Sequence, residues 1–530
     1  MIVRPSSALL TLAAVAMTAA ARAETLQISK IQRLANGQVQ ITAPASVSSS
    51  VSLQATVDFL NWTTLQTFPA NTPVSYTTAP SGTAPRLCYR LSTSSATLPP
   101  PQLTDLATMP NRVFNAPESF NTVQYAADGK LGFIFWRDNQ LMIRERTAAG
   151  AWSEQALNSL GSTFVPLLTF VYGGPRTDYN FQPSAALVYD SQSRAHVLQA
   201  YGAAVIHYAR NASGAWAEAE RIATPAANGK IDVLEAVVGA GDVLHLAALS
   251  AGSTRNLTYG SNRNGQWSWS TISSVTDVDP YYWAPPFAPR WLSLAVDSGN
   301  NAHIAYRSSM EITKHPQGYP RAHSVLKYAT NKGGSWRTDI KVMDTFDISG
   351  EAANGASIAI APDGNPRIVS WYDERADTGS AQESRLYFHQ QDASGNWTYT
   401  EVARTPDNYA AGDGPKGTGF SPYLRYDNRG RAHIVFLDHA GEHFSSIGQQ
   451  EYAGNVRHAW WNGSSWSFET IYRQTNPLKQ DAMYPSFAMS PSGTEMAVTV
   501  LHRDANWNLS AFPALSNSTY TFRFFTKALQ

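Results

Sequence analysis

From about residue 105 onward the chain alternates short apolar runs with polar turns, and one phrase keeps returning. Its clearest copy is Val296-Asp297-Ser298-Gly299-Asn300-Asn301-Ala302-His303-Ile304-Ala305-Tyr306. Two runs of strand-forming residues flank a tight polar turn, which predicts a β-hairpin. Such hairpins recur around residues 128, 191, 240, 299, 363, 428 and 492. A third run follows, as in Ile206-His207-Tyr208-Ala209 and Leu326-Lys327-Tyr328-Ala329. Then comes a Gly-containing turn that delivers a tryptophan: Trp152, Trp216, Trp267, Trp336, Trp397 and Trp466. Each unit therefore reads strand, tight turn, strand, longer loop, strand, Gly-x-Trp turn, strand.

Four antiparallel strands in a unit of about 60 residues make a propeller blade, and closing several blades into a ring covers their sheet faces. Seven hairpins predict seven blades, or six if one hairpin belongs to a loop. The seventh copy lacks the Gly-x-Trp turn, although it keeps Trp507 and ends in Tyr520-Thr521-Phe522-Arg523-Phe524-Phe525. The tryptophans are expected to cover the ends of their own blades.

Before residue 105 the pattern changes. Ala8 to Ala21 is apolar and small behind Arg4, and Ala21-Arg22-Ala23 offers a small-x-small cleavage site, so residues 1–23 read as a bacterial export signal. From 24 to 97 the chain is rich in Thr, Ser, Val and Gln. Val39-Gln40-Ile41-Thr42 and Val51-Ser52-Leu53-Gln54-Ala55 alternate as half-buried strands do. Leu53-Gln54-Ala55-Thr56, Leu60-Asn61-Trp62-Thr63-Thr64-Leu65 and Cys88-Tyr89-Arg90-Leu91 together resemble a small β-sandwich carried by many secreted bacterial proteins. That resemblance implies an accessory domain without chemistry of its own. Leu98-Pro99-Pro100-Pro101 opens a stiff spacer expected over 98–104, leaving 105–530 for the ring. The expected fold class is all-β: a seven-bladed β-propeller preceded by a small β-sandwich.

The repeats also resemble secreted bacterial propellers with the phrases Ser-Leu-Ala-Leu-Asp-x-x-Gly-x-Pro-His-Ile-x-Tyr, Leu-Lys-Tyr-Ala and Gly-x-x-Trp. Ser293-Leu294-Ala295-Val296-Asp297 through Tyr306, then Leu326-Lys327-Tyr328-Ala329, match best. Asn331-Lys332-Gly333-Gly334-Ser335-Trp336 is similar to the Asp-box of sialidase-like propellers, with Asn where that motif has Asp. Both phrases encode turns and packing, so they imply fold rather than activity.

Composition narrows the function classes. Forty Lys and Arg balance forty Asp and Glu, with no basic block of the kind nucleic-acid binders need. Cys88 is the sole cysteine, which excludes an intrachain disulfide and any multi-cysteine zinc site, and it reads as a small buried residue. His196, His245, His303 and His433 share one repeat position. Blade-by-blade recurrence reads as packing and hydrogen bonding, because ring-related positions lie too far apart for one ion with bonds of ~2 Å. No metal site and no cofactor is assigned.

Non-repeating residues carry the candidate chemistry. Loops leaving each second strand, and those joining successive blades, should share one face of the disc. Several are long: Arg307–His323, Asp373–Ser384, Asp438–Asn455, Gly161–Gln182, Val275–Arg290, Met343–Asn354 and Thr405–Gly419. The second strands end in polar residues, among them Arg137, Arg307, Arg375 and Arg503, which can fork onto a carboxylate or sulfate. Asp373, Glu374 and Asp438 can act as acid or base, and Tyr372 beside Glu374 suggests the nucleophile pair of sialidases. Tyr319, His323, His439 and His443 can instead supply a lyase base beside Arg307. Trp283, with Tyr281 and Tyr282, offers sugar-stacking surface. The leading expectation is a secreted, periplasmic or cell-surface bacterial carbohydrate-active propeller, a sialidase-like hydrolase or a polysaccharide lyase, whose partner is an anionic extracellular glycan. The alternatives are a propeller that binds a glycan or protein without catalysis and a structural surface protein. No transmembrane segment is expected after signal cleavage, and the oligomeric state is left open.

Overall fold

The computed structural model describes residues 29–34, 38–43, 51–56, 63–69, 72–77, 88–93, 102–110, 122–137, 140–146, 150–159, 169–171, 174–176, 184–225, 231–250, 254–276, 292–307, 311–314, 320–323, 325–344, 350–374, 383–392, 394–404, 418–439, 454–472, 480–504 and 519–529. The expected signal at 1–23 and the prolines at 99–101 lie outside them, as does Trp507. Two compact units divide the chain after Leu98. Among the described residues no helix is long and apolar enough to cross a membrane.

The N-terminal unit has, among the described residues, two three-stranded antiparallel sheets. One is built from Lys30–Arg33, Val39–Ala43 and Val74–Thr77; the other from Thr63–Phe68, Val51–Thr56 and Cys88–Thr93. Ile41, Ala43 and Val74 from the first sheet share one buried cluster with Leu53 and Phe68 from the second. The period-two alternation read from the sequence supplies that apolar face. The side chain of Cys88 is outside the described residues.

The second unit contains, among the described residues, seven four-stranded antiparallel sheets. Their first strands are Val123–Tyr125, Ala185–Tyr189, Ile231–Val238, Leu292–Val296, Gly350–Ile360, Thr418–Tyr426 and Gln480–Met489. Consecutive first strands touch all the way round, and the seventh touches the first, so the blades close into a ring. A serine laces several of these junctions. Ser184, Ser293 and Ser357 Oγ accept from the backbone N–H of Leu234, Ile358 and Leu424 in the next blade at 2.9, 3.2 and 3.1 Å. Ser486 accepts from Val123 at 3.2 Å, carrying the lacing from the seventh blade to the first. The Ser of the Ser-Leu-Ala phrase is thus a clasp between blades.

Each of the seven seams between neighbouring blades holds one apolar cluster. The tryptophans sit in these seams and face the preceding blade, rather than covering the ends of their own. Trp336 meets Tyr259, and Trp397 meets Tyr328, edge to face with ring centres 5.1 Å apart in both pairs. Trp152 meets Phe524 of the seventh blade in the same manner at 5.5 Å. Such edge-to-face pairs add about 0.5–1.5 kcal/mol beyond area burial, so the recurring tryptophan cements the ring rather than the blade.

The seventh blade explains its missing turn. Its outer strand is Gln102–Pro110, from the other end of the unit, paired antiparallel to Thr519–Ala528. No Gly-x-Trp turn is needed where the chain never makes the connection. Gln102, Leu103 and Thr104, read from sequence as the end of the spacer, pair with Thr526, Phe525 and Phe524 and belong to the ring.

This topology gives the ring two unlike faces. Both hairpin turns of a blade lie on one, here called the turn face. The connections from second to third strand, and from blade to blade, lie on the other, the loop face. On the turn face every first hairpin places a residue in the left-handed region: Gly129, Ser193, Asp242 (with Gly241 before it), Asn300, Gly364, Gly430 and Gly493, all with φ between 59° and 84°. A type I turn followed by such a residue is the common three-residue hairpin, which explains the Gly, Asn and Asp read there. Among the described residues two short hairpins occur on the loop side: Glu311–Lys314 with Pro320–His323 inside blade four, and Thr169–Val171 with Gly174–Arg176 between blades one and two.

Candidate functional site

The second strands of blades one, four, five, six and seven end at Arg137, Arg307, Glu374, His439 and Asp504 on the loop face. Equivalent strands run the same way round the ring, so these ends stand at equivalent heights. Arg137, Asp373, Glu374, His439 and Arg503 are placed there by their strands, and His323 closes the inserted hairpin of blade four. In that hairpin Glu311, which sequence reading did not single out, is the register partner of His323. Trp283, Tyr319, Arg375 and His443 lie outside the described residues, as do Tyr281 and Tyr282.

Side chains are described for three of the candidates. Arg307 is buried, with 6 % of its surface accessible, at the last position of its strand. Asp438 accepts a hydrogen bond from Arg457 Nη1 at 2.6 Å, and both side chains remain about a quarter exposed. That pair lies within blade six. Arg457 was missed because only the register, which sets Asp438 opposite Asn455, reveals that it comes near.

Tyr372 corrects the sequence reading. It is wholly buried in the seam between blades four and five, its ring 6.1 Å from that of Tyr387. Strand alternation turns it into the core. A nucleophile that must meet a bulky glycan cannot act from there.

Blades five and six are braced to each other at this face. Trp371 Nε1 donates to Ser384 Oγ at 2.6 Å, Ser384 Oγ donates to Thr418 O at 2.8 Å, and Thr418 N donates back at 3.1 Å. Ser384 is the register partner of Asp373, and Thr418 is that of Asp438. The brace therefore ties the strand end carrying Asp373 and Glu374 to the one carrying Asp438 and His439. The register also sets Glu351 opposite Asp373 and Glu383 opposite Glu374. Arg307 stands one blade away on the other side of blade five, while Arg137 and Arg503 belong to blades one and seven, which adjoin each other.

The repeated histidines do something different. His196, His245, His303 and His433 each bond a ring on the third strand of their own blade. Among the described residues no group of three or more His, Cys, Asp or Glu is placed to hold a metal.

No family model matches the sequence, and no curated protein matches it. Solved structures do resemble it. A polysaccharide lyase is similar at 10 % identity and a TM-score of 0.45, over 78 % of this chain and 91 % of its own. A PL25 ulvan lyase bound to a GlcA–Rha3S saccharide is similar at 11 % identity and a TM-score of 0.45, over 74 % of this chain and 91 % of its own. The AofleA protein of Arthrobotrys oligospora is similar at 11 % identity and a TM-score of 0.35, over 72 % of this chain and 93 % of its own.

Proposed function

We propose that this is an exported, carbohydrate-active propeller that engages an anionic extracellular glycan on its loop face. The observation that carries the reading is the braced end of blades five and six: two strand ends rich in carboxylate residues, held rigidly beside Arg457, with the buried Arg307 one blade away. A rigid scaffold carrying long connections on one side is where binding and catalysis are generally built.

The chemistry follows from the residue types. A guanidinium at Arg307 would fork onto a uronate carboxylate or a sulfate, and partial burial strengthens that bond because less water competes. In a lyase, neutralising the carboxylate acidifies the neighbouring C–H; His439 or His323 would remove that proton as the C4–O glycosidic bond breaks to leave a C4=C5 double bond, and the departing oxygen takes a proton from solvent. In a hydrolase, Asp373 or Glu374 would protonate the leaving oxygen while Asp438 serves as base or nucleophile.

A second reading, binding without catalysis, is favoured by two observations. Tyr372 is in the core, which removes the Tyr–Glu pairing, and Asp438 already has Arg457 as its counter-ion. One experiment separates the readings. The mature chain is presented to a glycan array, and each bound glycan is then scored for new reducing ends and for unsaturated uronate. Reducing ends without unsaturation identify a hydrolase, unsaturated ends a lyase, and retention without product a binder. Preference for neutral glycans over uronates and sulfated sugars would sink the proposal.

A further inference from the structure

Blades two, three, four and six set a histidine on the second strand against a ring at the matching point of the third. The pairs are His196 with His207, His245 with Tyr259, His303 with Tyr328 and His433 with His458. In blade four Tyr328 Oη lies 2.6 Å from His303 Nδ1, and His303 Nε2 lies 3.4 Å from Asp297 Oδ2. A neutral imidazole satisfies both: the tyrosine hydroxyl donates to Nδ1, and Nε2–H donates to the carboxylate.

Blade six replaces the tyrosine with a second imidazole, and the count changes. His433 Nε2 lies 3.3 Å from Asp427 Oδ2, His433 Nδ1 lies 2.9 Å from His458 Nε2, and His458 Nδ1 lies 2.7 Å from Glu469 Oε1. The two rings are stacked, 11° from parallel with centres 5.1 Å apart. Both ends of this chain are carboxylates, which only accept while ionised. Burial by itself would raise Asp427, but bonds from His433 and Arg431 hold it well below the usual carboxylate range; Arg431 Nε donates at 2.6 Å. Burial opposes ionisation of Glu469 as well, yet His458 and Lys527 bring it down to about 2.

Three contacts thus need three ring protons, whereas two neutral imidazoles carry two. Every neutral arrangement sets two lone pairs face to face at one contact: at Asp427, between the rings, or at Glu469. One added proton resolves all three. We propose that the His433–His458 pair is a proton-binding site, holding one proton shared between its rings and making the seam between blades six and seven responsive to pH. The proton enters as H⁺ from solvent and leaves the same way, so no other bond changes.

The groups facing the pair give the site its balance. Asp427 and Arg431 face it from the first hairpin turn, Glu469 from the outer strand, and Lys527, bonded to Glu469, from the third strand of blade seven. Arg429 lies on the same turn as Arg431, and Trp460 stacks on His458 with centres 5.1 Å apart. Burial pushes His458 down to about 4, its bond to Glu469 opposes that, and the neighbouring ring and Lys527 add to it, so burial works against the extra proton and the carboxylates at both ends of the chain work for it. Blade two repeats the motif with Asp190, Arg194, His196 and His207. There His207 Nδ1 is 3.9 Å from a half-exposed Glu220, beyond hydrogen-bond reach, and the constraint is weaker.

A pair that binds its proton more tightly folded than unfolded adds stability in neutral and mildly acid solution, and that stability is lost as pH rises through the pair's own pKa. The test is ring-nitrogen NMR of the full chain with isotope-labelled histidine at about pH 8, where free imidazoles are neutral. Wild type is expected to show three ring protons on the pair. Glu469→Gln is expected to show two, because the amide can donate to His458 Nδ1 and complete the chain with neutral rings. Should that variant fail to fold, His458→Tyr copies blade four and removes the shared proton from the spectrum. In either variant the unfolding constant should rise less steeply above neutral pH than in wild type, by up to about tenfold per pH unit. Two ring protons in wild type, or the same number in wild type and both variants, would overturn the proposal.

Discussion

On the turn face the aspartates that open three of the first hairpins are used on their own backbone. Asp190, Asp297 and Asp427 Oδ1 each accept two main-chain N–H bonds across the turn, and their Oδ2 atoms face the histidine of the second strand. Neighbouring turns are also tied together: Ser193 Oγ accepts from Asp128 N, Asp242 from Ser191, and Asn300 donates to Ala240 O. On the loop face the strands end instead in Arg307, Asp438 and their neighbours, and the brace at Ser384 ties the strand ends of blades five and six together. The same residue types, Arg and Asp, therefore have opposite meanings at the two ends of one strand. Where the charge closes on its own turn it stabilises the ring; where it ends a strand beside long connections, the proposed function gives it a ligand to meet.

Four measurements break or sharpen that contrast. The largest expected effect is at the turn face. Asp427→Ala strands Arg431 and His433 without their carboxylate and should lower stability by about 3–5 kcal/mol, read by denaturant unfolding, with glycan affinity unchanged in the folded fraction. Arg307→Ala should do the reverse, weakening an anionic glycan by about a hundredfold in titration calorimetry while the circular dichroism spectrum stays that of the wild type. If both variants lose stability and affinity together, the two faces are not functionally distinct.

Between the faces, acid tests the buried rings. His389 is wholly enclosed, with Ser370 Oγ 2.8 Å from its Nε2, and burial pushes it down to about 3. Burial likewise holds His207 and His245 at about 4. These depressed values mean that the unfolded chain takes up protons first. Their contribution is full above about 6.5 and is lost as pH falls towards 4. Unfolding midpoints should therefore drop through that window, and His389→Phe should flatten the drop; an unchanged slope would remove His389 from the account. The smallest effect is expected from Gly129→Ala, where φ is +84° and the space beside the backbone is open, so the cost is conformational only, about 1 kcal/mol.

The ring was legible because its hairpins repeat: seven polar turns, six of them followed by a third run and a Gly-containing turn to a tryptophan, could be counted directly. What repetition does not encode was harder to read. The strand Gln102–Pro110 pairs with residues more than four hundred positions away, and no local pattern announces such a partner. Trp336 looked like a cap on its own blade because sequence shows its neighbours along the chain, while Tyr259 reaches it across a seam. Tyr372 looked catalytic beside Asp373 and Glu374 until strand alternation placed it in the core. Glu469 carries no motif, and its place beside His458 emerges only from the register of the third and fourth strands of blade six.

The strand that completes the seventh blade also dictates an order of events. The ribosome makes Gln102–Pro110 early, but its partner Thr519–Ala528 emerges almost last. Until that partner is made, the nascent chain holds an unmatched β-edge, and such edges invite pairing with strangers. Blades one to six can assemble as they emerge, each on the last, yet the circle cannot shut until the final ten-residue strand arrives. A stop codon before Thr519 would leave an open spiral rather than a slightly shorter ring, and its fate would be set by chaperones and proteases rather than by any ligand.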